Sequence, residues 1–142
     1  MFSKQVRIAA FVALAAAVSL VSSKAALAGT AKSYSYIGWI ETQSVIYMVN
    51  QAYDTENDRW ELAYDANIAA QYAFLELNDV SNNVRGSSLL QARDYLDEAS
   101  ENLFLLSNYS LPQNIRDKVE SAQRYISLAR NMVQKQLAAS NK

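Results

Sequence analysis

From Ser110 to Lys135 apolar and polar residues alternate with a helical beat. Ile115, Val119, Ala122, Ile126, Ala129, Val133 and Leu137 recur at steps of three and four, which stacks them on one stripe of an α-helix. Arg116, Lys118, Glu120, Arg124, Arg130 and Lys135 fall between them as a solvated back. Pro112, the only proline, sits where a first helical turn tolerates a missing N–H, with Ser110 as the expected cap. Upstream, from about Ser88 to Ser107, Leu89, Ala92, Leu96, Ala99, Leu103 and Leu106 form a second stripe, opposite Arg93, Asp94, Asp97, Glu98 and Glu101.

Two further helices are predicted, from about Ser33 to Tyr53 and from about Glu56 to Asn82. Thr55 followed by Asp58 reads as a capping box that starts the latter. The connections around Asp54-Thr55, Asn83 to Ser87 and Asn108 to Leu111 are short, so consecutive helices should pack as antiparallel neighbours. The expected fold is all-α, a four-helix up-down bundle.

The first two helices carry apolar residues on two faces. In the second, Leu62, Ala66, Ala69, Ala73, Leu77 and Val80 share one side. Trp60, Tyr64, Ile68 and Leu75 fall nearly opposite. In the first, Trp39, Ile46, Val49 and Tyr53 make one stripe, while Ile37, Ile40, Tyr47 and Met48 lie around the back. One groove cannot cover both faces. Either Tyr34, Tyr36 and the loops fold over the second face, or it is a contact surface, for which aromatic and methionine side chains are suited. Ile40, Met48, Trp60, Tyr64 and Ile68 are the candidate partner-binding residues.

Composition adds an expectation about residues 1–28. Lys4 and Arg7 precede a run of apolar and small residues from Ile8 to Val21, and Ala26-Leu27-Ala28 supplies a small-x-small site. That is the architecture of a secretory signal peptide, cleaved after Ala28. The run spans 14 residues, short of the roughly 20 a membrane span needs. The membrane is thus expected to matter only during export, with residues 29–142 as one domain in the periplasm or outside the cell. Removing Lys4, Arg7 and Lys24 from 13 basic residues leaves 10 against 14 acidic ones, a net charge of −4. Nucleic acid, which wants a basic patch, is not the expected partner.

Charge is also uneven. Asp54, Glu56, Asp58, Glu61, Asp65, Glu76 and Asp79 surround the second helix against Arg59 alone, whereas the last helix and tail are basic. The simplest account is complementary packing between these helices inside the bundle.

The chain has no histidine and no cysteine. A thiolate nucleophile, a Ser-His-Asp triad and the usual zinc or copper ligands are therefore missing. Asp54, Glu56, Asp58 and Asp65 stand at positions 1, 3, 5 and 12 of a calcium-loop pattern, but Arg59 occupies the turn position that needs glycine. Helix capping explains them more simply. Glu61 and Asp65, four apart, do acid–base work only in a cleft that separates their pKa values. Asn108-Tyr109-Ser110 matches a glycosylation acceptor pattern, which matters only in a eukaryotic secretory pathway.

No enzyme, cofactor or metal centre is expected. The leading functional expectation is a small exported binding or adaptor protein, acting on a protein partner or a second copy through the back of its N-terminal hairpin. The alternative is a small-ligand receptor whose aromatics line an internal pocket. The stripe assignment itself is open to test. Ile126→Asp should lose about 4 kcal/mol and abolish cooperative melting by circular dichroism; an unchanged melting temperature would refute the stripe.

Overall fold

The computed structural model describes the backbone of residues 4–140 and the side chains of residues 26–140. Four helices, α1 (Lys4–Ala52), α2 (Asp58–Ser81), α3 (Leu89–Ser107) and α4 (Gln113–Ser140), account for all the regular structure among these residues. Each packs on its chain neighbours, and α1 closes the ring against α4. Cross-helix pairs give the directions. Lys32 meets Asn78 and Thr42 meets Asn67, so α1 and α2 run antiparallel. Glu76 meets Ser88 and Tyr72 meets Tyr95, which sets α2 against α3 in the same sense. The architecture is the expected all-α bundle. Among the described residues no helix is long and apolar enough to cross a membrane.

The stripes of α3 and α4 are buried as the spacing predicts. Leu89, Ala92, Leu96, Ala99, Leu103 and Leu106 face inward from α3, and Ile115, Val119, Ala122, Ile126, Ala129 and Val133 from α4. Leu137 is only half-buried. On α2 the expected residues are buried except Leu62, which sits at the core's margin, and Ala63, Asn67 and Ala70 join them.

The first helix differs most from expectation. It starts well before Ser33, and its buried positions are Ala28, Ala31, Ser35, Gly38, Thr42, Val45 and Val49. Of the expected stripe only Val49 is fully buried, while Trp39, Ile46 and Tyr53 lie on the flanks. The reason is spacing between helices. Small side chains on α1 and α2 let both backbones approach the Leu, Ile and Val rows of α3 and α4, and an indole will not fit between them. The approach is close at Gly38, where an added Cβ would lie 2.6 Å from Ile126 Cδ1.

Polar contacts fix register within this tight seam. The Asn67 amide donates to Thr42 Oγ1 at 3.0 Å, and the Thr42 hydroxyl donates to the Trp39 carbonyl at 2.6 Å. Because Thr42 is fully buried and Asn67 nearly so, sliding either helix would leave buried polar groups unpaired, at about 1–3 kcal/mol each.

Helix ends correct two expectations. The cap of α2 is Asn57, whose Oδ1 accepts from the Arg59 N–H at 2.9 Å, not Thr55, which lies in the preceding turn. Asp58 and Glu61 then occupy the first turn, where the helix dipole favours acids. Ser110 does not cap α4. The first helical bond runs from Arg116 N–H to the Pro112 carbonyl, and the Ser110 carbonyl instead accepts from Tyr53 and Arg59. Helix α2 closes with a Schellman pair, Val84 N–H to Asp79 and Asn83 N–H to Val80. Asn83 takes the left-handed φ of 55° that this closure needs, and asparagine is one of the few residues that accept it readily.

The signal-peptide assignment, residues 1–28, lies largely outside the residues whose side chains are described. Its last residue, Ala28, is within them and is fully buried against the bundle. Among the described residues, a chain starting at Gly29 keeps every other buried residue and gives up the Ala28 methyl group, worth about 0.8 kcal/mol, and the half-buried Leu27. It should melt cooperatively within a few degrees of the full chain by circular dichroism. A collapse in stability would make the segment before Gly29 part of the folded domain.

The Gly38 contact makes a second prediction. Gly38→Ala gains about 1 kcal/mol of helix propensity but crowds Ile126 by about 1–3 kcal/mol, for a net loss. Ile126→Val removes the clashing Cδ1, so the two changes should couple favourably by about 1 kcal/mol in a double-mutant cycle read by urea melts. Strict additivity would show that the two helices do not approach this closely.

Candidate partner-binding face

Because the small residues of α2 point inward, its large ones are turned outward. Trp60, Tyr64, Ile68 and Leu75 follow one another along the outer side of the helix within an arc of roughly 80°. The Trp60 and Tyr64 rings stack with centroids 5.1 Å apart and planes 16° from parallel. Tyr64 is 44% exposed and Leu75 45%, while Trp60 and Ile68 are half-buried. Among the described residues Tyr34 and Tyr36 do not fold over this row. Tyr36 turns instead toward the α1–α2 seam, where it meets Phe74 at 5.3 Å and Trp39 at 5.9 Å, and Tyr34 meets Tyr125 on α4.

The five sequence candidates do not form one patch. Trp60, Tyr64 and Ile68 belong to the α2 row. Ile40 and Met48 line a separate shallow groove of about 430 Å³ with Gln43, Ser44, Tyr47 and the α4 residue Lys118. Tyr47 is the most exposed large side chain there, and its hydroxyl accepts from Gln51. Tyr72, 49% exposed and in ring contact with Tyr95 of α3, extends the α2 row toward α3 and was not among the candidates. Its position between the two apolar faces of α2 gave no periodic signal. Phe104, 60% exposed on α3, was likewise missed, because its neighbours in spacing are polar.

Beside the aromatic row runs a line of carboxylates. Asp58, Glu61, Asp65, Glu76 and Asp79 project on its α3 side, and none makes an ion pair among the described residues. The ion pairs found there are Lys118–Glu41, Arg130–Asp97 and Arg93 with Asp94 and Asp97. Complementary packing between α2 and α4 is therefore not how the charge asymmetry is used: these helices stand diagonally, and α4 spends its cations on α1 and α3. The single cation of α2, Arg59, is engaged at the end of the bundle. Its guanidinium lies 4.7 Å from the Tyr53 ring and 4.8 Å from the Tyr109 ring, and Nε donates to the Ser110 carbonyl at 3.1 Å. This clamp joins the end of α1, the start of α2 and the α3–α4 loop.

Asp58, Glu61 and Asp65 also line a groove of about 370 Å³ between α2 and α3, floored by Leu62 and Leu105 and closed by Asn108 and Tyr109. No three acidic side chains among the described residues converge closely enough to hold a metal ion. Neither tryptophan lines this groove or the one beside Lys118. Asn108 of the glycosylation pattern is exposed in the α3–α4 loop. Comparison with protein-family models, curated proteins and solved structures finds no match for this chain.

Proposed function

We propose that this is a small exported adaptor without catalytic activity, which takes a protein partner on the outer face of α2. The observation that carries the reading is the outward Trp60–Tyr64–Ile68–Leu75 row, with Tyr64 and Leu75 exposed and Trp60 and Ile68 half-buried. Covering the exposed parts of these side chains would recover a share of the about 1.5–3 kcal/mol that full burial of each is worth. Such a row on an otherwise well-packed bundle is the usual mark of a contact surface. Tyrosine and tryptophan suit it, since they offer large area with few rotatable bonds. The export part of the proposal rests on Lys4, Arg7, the apolar run from Ile8 to Val21 and the Ala26-Leu27-Ala28 site, which support a mature chain in the periplasm or outside the cell.

The test is photo-crosslinking in the producing cells from position 64, with exposed position 134 on α4 as the control. Adducts should form from position 64 alone. Trp60→Ala combined with Tyr64→Ala should lower partner affinity by about 2 kcal/mol or more, while circular dichroism shows unchanged helicity. Equal adducts from both positions, or undiminished capture by the double variant, would remove the face from consideration.

A further inference from the structure

Resting on the α2 face as the binding surface, we propose that its partner is a basic amphipathic helix, laid along α2 with its cations over the α2–α3 groove. Three features of the surface lead there.

The first is shape. From Trp60 to Leu75 the row runs about 22 Å along α2, the length of four helical turns, with the half-buried Gln71 between Ile68 and Leu75. The groove beside it, lined by Leu62, Leu105 and Tyr109, gives a neighbouring helix a place to seat its own ridge.

The second is charge. The five carboxylates Asp58, Glu61, Asp65, Glu76 and Asp79 all lie along one edge of the row, and none is ion-paired among the described residues. Arg59 cannot neutralise them, because its guanidinium is held between Tyr53 and Tyr109. A partner with cations along the matching edge gains steering and specificity from this arrangement. A partner with acids there is repelled.

The third is what the same charges exclude. An antiparallel two-fold dimer through α2 would set both rows of carboxylates along the same edge, where like charges repel. An anionic membrane surface is disfavoured for the same reason.

The experiment uses the chain from Gly29 and two labelled helical peptides of about 18 residues, five turns long, read by fluorescence anisotropy. Both carry the same leucine stripe; one has lysines along one edge and the other glutamates. The lysine peptide should bind about tenfold more tightly, and its affinity should fall as salt rises from about 50 to about 300 mM. Glu61→Gln with Asp65→Asn should weaken it roughly fivefold, whereas Glu120→Gln on α4, the helix diagonal to α2, should leave it unchanged.

Equal binding of both peptides, lost in Trp60→Ala with Tyr64→Ala, would overturn the basic partner and leave the α2 face standing. Lysine-peptide binding that survives that double variant would overturn the face itself, and this proposal with it. Binding of neither peptide, or a concentration-dependent dimer dissolved by Tyr64→Ala, would overturn the basic partner in favour of another occupant.

Discussion

The bundle depends on how closely α1 can approach α4. Gly38 has no side chain, and the end of Ile126 occupies the space a Cβ would need. Ala31, Ser35 and Thr42 continue the same narrow strip along α1, and Ala63, Ala66, Ala70 and Ala73 form its counterpart on α2. Two helices built with small inner faces meet two built with Leu, Ile and Val, so the core is asymmetric. Burial on the α1–α2 side comes from close backbone approach, and on the α3–α4 side from side-chain volume.

The placement of the aromatics follows from that asymmetry. Where alanine, serine, glycine and threonine line this strip there is no room inside for the rings of Trp39, Trp60, Phe74 or Tyr64. Some of these settle in the seam, as Trp39 does against Phe74 with centroids 5.7 Å apart. The remainder, Trp60 and Tyr64 among them, are directed outward and stack on each other instead. The tight interior and the apolar exterior of α2 thus have one cause, and the face needs no separate structural device to hold it open.

Much of this was legible in the chain, and the exceptions have definite reasons. The rows of α3 and α4 could be read residue by residue because Leu, Ile and Val at steps of three and four leave one arrangement. On α1 the same reading favours Trp39 and Ile46 over Ser35, Gly38 and Thr42, since periodicity weighs apolar bulk and small polar residues carry little of it. The second apolar face of α2 was visible, but not its separation from Ile40 and Met48, which depends on how α1 is rotated. Asn57 and Thr55 are both good caps two positions apart, and only the geometry of the turn chooses between them. The charge asymmetry could be counted, yet its use depends on which helices stand diagonally. Arg59 between Tyr53 and Tyr109 joins residues about 50 positions apart, a pairing that no local pattern announces.

That clamp bears on the energetics of recognition. Arg59 ties the first turn of α2 to two other stretches of chain, and Trp60 is the next residue, already resting on Tyr64. The aromatic pair therefore stands on a well-immobilised part of the helix, with its rotamers chosen before anything arrives. A partner docking there as proposed would have little disorder left to remove from this side, so a modest contact area would yield a serviceable affinity.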